Sequence, residues 1–350
     1  MRLGIDGSAS WSVLGSEPGA VAAARESGRS PIAQHDPPRT PPPGVFRAAG
    51  FDVRAELGAR GTRSMDRATS LAIATTGRLL KAAGPDLDRA RTAVILGTTT
   101  GSVGSIMDFT ASTLSGAKPY LVNPGKFPVT VMNYAAGQCA IWHEITGPNV
   151  TVAGGRNAVA LGLIYAARML RSGRAEHVLC GASEEDSPQR AWLEWRARAA
   201  CVESIPVAEG CVMFHLSRRI DPARPSLLAA RTELCELDAP EEGITRCIRS
   251  AVRDAGVPPG EVWAVAGNGA LDGLEEGENR ALREVFGPAG SRRIRAHEAV
   301  GDTSAASAGF QLLALLELAA GSPESSGRPI VVTSIDRYGL ASALVVRCGS

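Results

Sequence analysis

The chain has 350 residues, 44% hydrophobic and 21% charged, with 37 Lys and Arg against 36 Asp and Glu for a formal net charge of +1. That length suits one large or two medium domains of a soluble globular protein, and the balanced charge offers no surface for nucleic acid or an anionic membrane. No apolar run approaches the roughly 20 residues of a membrane span, and Met1-Arg2-Leu3-Gly4-Ile5-Asp6 carries no signal-peptide core, so a cytoplasmic protein is expected.

Residues 36–44, Asp-Pro-Pro-Arg-Thr-Pro-Pro-Pro-Gly, read as a surface loop, because proline fixes φ and removes backbone donors. Ala93–Gly97 reads as a buried strand, and Val150–Ala153 as another, followed by a small-residue turn at Gly154-Gly155. An apolar helix is predicted over about 157–171, with Val159, Leu163, Ala166, Ala167 and Leu170 at helical spacing. Strands follow at His177–Gly181 and Cys211–Leu216. Asp221-Pro222-Ala223-Arg224-Pro225 then breaks the chain into halves, 1–222 and 223–350. The second half repeats the plan: a strand at Val262–Ala266, a helix over 273–285, an extended stretch at 294–300, a helix over about 303–320, and closing strands at Ile330–Thr333 and Ala343–Val346. Such alternation indicates an α/β protein. The seven cysteines include no C-x-x-C pair, so neither zinc nor thioredoxin-like chemistry is expected, and no metal or cofactor is predicted. Gly97-Thr98-Thr99-Thr100-Gly101 lacks the Gly-Lys-Ser/Thr ending of a phosphate loop.

Several motifs, in order, resemble the β-ketoacyl synthase family over nearly the whole chain. They are Arg63-Ser64-Met65-Asp66-Arg67 with Leu71-Ala72, then Gly97–Gly101, then Phe127-Pro128, Val131-Met132-Asn133, Ala136-Gly137-Gln138 and Gly147-Pro148-Asn149. Gly181-Ala182-Ser183-Glu184, Ala208-Glu209-Gly210-Cys211 and Glu278-Asn279-Arg280-Ala281-Leu282 complete the set. The resemblance implies a thiolase-like five-layer α-β-α-β-α fold built from two pseudo-repeated halves. Active members carry a cysteine at a strand-to-helix elbow, where the helix dipole favours the thiolate, and two histidines that assist decarboxylation and stabilise the enolate and oxyanion.

Here the elbow presents Arg156 where that cysteine belongs. The first histidine falls on Gly267 and the second on Asp302, while the lysine of the same pattern falls on His297. The glycine-rich loop near the C-terminus falls on Asp336-Arg337-Tyr338-Gly339 and is mostly lost. Arginine stays protonated and is no nucleophile. The expectation is a non-catalytic subunit of chain-length-factor type that pairs with an active ketosynthase and serves chains carried on acyl carrier protein. Arginine at a buried helix N-terminus needs an anion, so Arg156 and Asp302 are expected within about 4 Å of each other; the plainer possibility turns Arg156 to solvent or to the partner chain.

The stretch 102–145, which lines the acyl tunnel and dimer interface in that family, holds Met107, Phe109, Tyr120, Phe127, Met132, Tyr134 and Trp142. These could close a tunnel, or form ordinary interface core of the same composition. The segment from Glu184 to Glu209 looks shorter than in active relatives. Glu275, Glu276 and Glu278 read as a solvated helix face, His143 as a packed or interface residue, and His35, His177 and His215 as structural or exposed. Two alternatives are an enzyme using Ser304 or Cys139 as its nucleophile, and a homodimeric pseudoenzyme that binds acyl chains or carrier protein.

Overall fold

The computed structural model describes residues 2–27, 31–63, 65–197, 205–287 and 292–350. Ser64, Cys201 and part of the 184–209 segment lie outside the described residues. The first half contributes β1 (Leu3–Trp11), β2 (Val45–Phe46), β3 (Thr92–Thr98), β4 (Asn149–Ala153), β5 (His177–Glu184), β6 (Val207–Ala208) and β7 (Gly210–Ser217). The second contributes β8 (Ser226–Leu234), β9 (Ala264–Ala266), β10 (Arg292–Ile294), β11 (Pro329–Ile335) and β12 (Leu340–Arg347). The helices are α1 (Ala20–Ser27), α2 (Val53–Leu57), α3 (Arg67–Ala83), α4 (Val103–Ser115), α5 (Tyr134–Trp142), α6 (Ala158–Arg171), α7 (Pro188–Ala197), α8 (Pro240–Ala255), α9 (Glu275–Phe286), α10 (His297–Val300) and α11 (Ser307–Ala320).

Ten strands share one sheet in the order β10-β9-β11-β12-β8-β1-β7-β5-β3-β4. Read outward from the β8–β1 seam, the two wings have the same plan. The first strand of each wing lies at the seam, the last beside it, and the third at the far edge. The seam is short, pairing Leu3 with Leu227 and Gly4 with Ser226. A Cβ on Gly4 would stand 2.1 Å from the Arg219 carbonyl oxygen, so only glycine fits there.

Alternation along the strands feeds separate layers. Ala93 and Ile95 of β3 join Val178, Phe214, Ile330 and Val346 around α6 and α11 in the central core. Val94 and Leu96 face the opposite way, toward α3 and α5, as Val331 and Val345 face α8 and α9. The layers therefore run α3/α5, strands, α6/α11, strands, α8/α9. Helix α11 is apolar on nearly every side because it is covered on both faces, whereas α6 keeps one exposed stripe at Tyr165, Arg168 and Arg171. Gly162 and Gly309 let them lie close to the strands: added Cβ atoms would meet Cys180 Sγ at 2.9 Å and Val212 Cγ1 at 2.5 Å.

Two motifs of the resemblance meet in the outer layer. Asp66 caps α3, accepting the Thr69 N–H at 2.9 Å, and Arg67 forks onto the buried Glu209 carboxylate at 2.7–3.2 Å. The extended stretch expected at 294–300 is corrected. The strand stops at Ile294, and His297–Val300 forms one helical turn closed by Gly301, whose φ of 74° takes the backbone out of the helix. Four residues are too few to show a helical period. Among the described residues, no helix is long and apolar enough to cross a membrane.

Candidate functional site

Among the described residues β4 is an edge strand, paired with β3 alone. Its chain turns through Gly154 and Gly155, the latter at φ 50°, and runs by a 3-10 turn into α6. An added Cβ on Gly154 would meet Leu161 Cδ1 at 2.7 Å and the Ala158 Cα at 3.1 Å, so a side chain there would crowd the entry to α6. The turn delivers Arg156 inward, with 3% of its surface exposed.

Arg156 is held by two carboxylates. Nη1 and Nη2 donate to Asp302 at 2.5 and 2.9 Å, while Nε and Nη2 donate to Asp272 at 2.8 and 3.1 Å. Nη2 also reaches the Leu271 carbonyl at 3.2 Å. Burial alone would lower the guanidinium pKa, but Asp302 and then Asp272 outweigh it and hold the pKa well above the ordinary arginine value. Two planar forks on one guanidinium is the geometry in which a buried charge is best compensated. The expected partner Asp302 is thus present, and Asp272 is a second that the sequence reading missed. Asp272 also accepts from the Arg337 backbone N–H at 3.1 Å and lies 3.2 Å from its guanidinium, which continues to Glu194 at 2.9 Å.

The neighbouring turn supports this plug. Asp302 accepts the Ser304 N–H at 2.9 Å, with Ser304 in the left-handed region at φ 44°. Ser304 Oγ accepts from Arg190 Nη2 at 2.9 Å. Among the described residues Ser304 Oγ has no imidazole bonded to it, so it lacks the proton acceptor that activates a serine nucleophile. Cys139 is fully buried beside Thr76, and burial pushes its thiol far above the usual range.

Gly267, where the resemblance places the first histidine, lies under a carboxylate. A Cβ there would stand 2.3–2.5 Å from the Glu278 carboxyl group. Glu278 is 1% exposed and accepts from Gly269 N–H at 3.0 Å and Thr333 Oγ1 at 2.7 Å. Burial raises its pKa despite these bonds. This corrects the reading of 275–278 as a uniformly solvated face: Glu276 fits it, Glu275 is half-buried against Arg295, and the backbone turn brings Glu278 inward onto the strand ends. His297 is buried, its Nδ1 has no hydrogen-bond partner, and burial lowers its pKa. Asp336, in the 336–339 turn, accepts from Asn157 Nδ2 at 3.1 Å, and Ser334 Oγ at the end of β11 donates to the Arg156 carbonyl at 3.1 Å, clamping the elbow from behind.

The aromatic and sulfur residues of 102–145 divide. Phe109 and Phe127 meet edge to face at 5.9 Å between centroids; Met107, Phe127 and Met132 are largely exposed. Met132 and Tyr134 lie together beside Thr98 and Gly101 at the end of β3. Trp142 is not with them: it packs on the outer-layer core and beside Gly61. Among the histidines, His143 bonds the Ile73 carbonyl at 2.9 Å. His177 and His215 bond each other at 3.0 Å, and burial pushes His215 down to about 4. His35 lies exposed beside Thr40. The Thr99 N–H, which a phosphate loop would turn to a ligand, donates to Glu184 at 2.6 Å.

Above the plug is a cleft of about 260 Å³, with Arg156, Asp272, Arg190 and Ser304 at its base and Leu193, Arg337 and Tyr338 along it. Residues 8–213 match the family described as "Beta-ketoacyl synthase, N-terminal domain". The whole chain superposes on a chain of the structure titled "The ishigamide ketosynthase/chain length factor", with TM-score 0.89, 34% identity and 100% of both chains covered. A 3-oxoacyl-[acyl-carrier-protein] synthase 2 of Coxiella burnetii is 24% identical over 304 residues, 75% of this chain and 71% of its own. A putative polyketide beta-ketoacyl synthase 2 of Streptomyces virginiae is 29% identical over 274 residues, 68% of this chain and 66% of its own. The order of the motifs, the paired five-strand wings and this match over more than half the chain place the protein in the β-ketoacyl synthase family.

Proposed function

We propose that this chain is a non-catalytic ketosynthase-like subunit, a chain length factor, that pairs with an active ketosynthase and shapes the acyl tunnel. The partner supplies the cysteine and two histidines and condenses polyketide or polyene chains tethered to acyl carrier protein in the cytoplasm. The observation that carries this reading is Arg156 at the elbow, a permanent cation forked by Asp302 and Asp272. Gly267 and Asp302 at the histidine positions support it, as does the likeness to a ketosynthase/chain length factor. The chain is read as two thiolase-like halves, 1–222 and 223–350.

The surface beside the elbow suits such a partner. Among the described residues β4 leaves one edge unpaired, and Phe127, Val131, Met132 and Ile141 are exposed at 41–71% in the segments leading to it. Exposed apolar surface beside an open strand edge is unfavourable in an isolated chain and is removed by association. Co-expression with a ketosynthase carrying the intact Cys-His-His set is expected to yield a stable one-to-one mixed dimer on size exclusion. Recovery of this chain only as a monomer or homodimer under those conditions would overturn the proposal.

A further inference from the structure

We infer that a second cleft, at the foot of β5 and β7, is a binding site for a doubly charged oxyanion of the phosphate-monoester class. The outer helix α3 packs on the residues of these strands that face it, Leu179, Cys211 and Met213. It ends at Ala83, and beyond that point the same strand faces carry His177, His215 and Ser217 instead. The space left uncovered is a cleft of about 510 Å³, with Ala82 and Ala83 on one wall and Arg218, Arg219, Asp221 and Arg224 on the other. It lies at the far end of the sheet from the elbow: His177 pairs with Thr92 at the start of β3, whereas Ala153 pairs with Thr98 at its end.

The cleft holds more cation than its own acids use. Glu176 pairs with Arg91 at 2.8 Å. Asp221 accepts the Ala223 N–H at 3.0 Å and lies 3.9 Å from Arg224, which donates to the Asp6 carbonyl at 2.7 Å. Arg218 and Arg219 are exposed, line the cleft, and have no ion pair among the described residues. Ser217 is buried, and its Oγ accepts the Arg219 N–H at 3.2 Å, which leaves the hydroxyl proton to donate. The His177–His215 pair, with His215 6% exposed, shares one proton when neutral and has room to take another. Two guanidiniums, a hydroxyl and an imidazole pair make a donor set suited to a dianion. Asp6, set at a bulge in β1, lines the same cleft. Burial holds His215 neutral against the pull of Asp6, with His177 and Arg224 adding to burial; a bound anion adds to the side of Asp6, so the occupied site takes up a proton. The cleft is roomier than a bare tetrahedral anion needs, which favours an ester.

The test follows the imidazole NMR signals of the full chain, labelled at histidine, as sulfate replaces chloride at constant ionic strength. Sulfate keeps both charges across the pH range used, so any pH dependence belongs to the protein. Saturable shifts are expected for His177 and His215, assigned with His177→Gln and His215→Gln. Arg218→Ala and Arg219→Ala should each weaken binding about five-fold, the scale of one partly exposed ion pair. Affinity should rise roughly three-fold from about pH 8 to about pH 6, because the occupied site binds the extra proton, and His177→Gln should flatten that rise. Phenyl phosphate at the upper pH should bind at least as tightly as sulfate. No saturation by about 50 mM sulfate, unchanged affinity in both arginine variants, equal affinity at the two pH values, or exclusion of phenyl phosphate would overturn the inference.

Discussion

Arg156→Cys is expected to yield a less stable protein without a working nucleophile. The substitution leaves Asp302 and Asp272 facing each other in a site where Asp302 and Asp272 side chains are 0% and 1% exposed. Removing one partner from a buried ion network costs on the order of 3–5 kcal/mol, because the remaining charge stays desolvated. The new thiol would sit against two carboxylates, which raise a thiol pKa, with glycine and aspartate where the resemblance places the histidines. Urea unfolding of the variant should therefore lose that much stability. Adding Asp302→Asn and Asp272→Asn to Arg156→Cys should recover part of it, since neutral amides tolerate burial better than unpaired charge. If Arg156→Cys were as stable as the parent, the fork would be contributing little and the plug would need another explanation.

Gly267→His is the second large effect. A histidine at this position, where the resemblance places the family's first one, puts a Cβ where the Glu278 carboxyl lies 2.3–2.5 Å away. Glu278 ends a flexible side chain, yet it is tied to Gly269 and Thr333 inside the protein. Displacing it strands a buried carboxylate and its donors, at roughly 1–3 kcal/mol for each unsatisfied group. Gly267→His and the milder Gly267→Ala should both be destabilising, and Glu278→Ala should relieve much of the Gly267→Ala cost in a double-mutant cycle. Additive effects in that cycle would show that the two positions do not compete for space.

These effects also show how far residues alone reach. Several strands and helices are legible because their residues are mostly apolar: Ala93–Gly97, Val150–Ala153 and the helix spanning Val159 to Leu170 each have the length and period of the element they form. β1 is not legible. Leu-Gly-Ile-Asp-Gly-Ser-Ala-Ser-Trp is poor in strand formers, and its conformation is imposed by pairing with β7 and β8. Arg156 and Asp302 could be paired in advance because motifs fix both positions and a buried arginine requires an anion. Asp272 and Arg337 sit in turns whose mutual placement only the tertiary fold determines. Glu278 misleads because it stands in an acidic run at a helix start, a pattern shared by exposed caps. Its burial follows from the angle at which α9 leaves the preceding turn, which composition does not encode. Trp142 falls in the interface stretch by number but packs on the outer core, because α5 turns its C-terminal end toward that layer.

Incubating the purified chain with acyl carrier protein bearing a labelled acyl thioester, then recording intact mass, tests the dead-elbow account most directly. The chain alone should take up no acyl group, while an added active ketosynthase should acquire one on its own cysteine. A stoichiometric acyl adduct on this chain, mapped to Ser304, Cys139 or any other side chain, would contradict it.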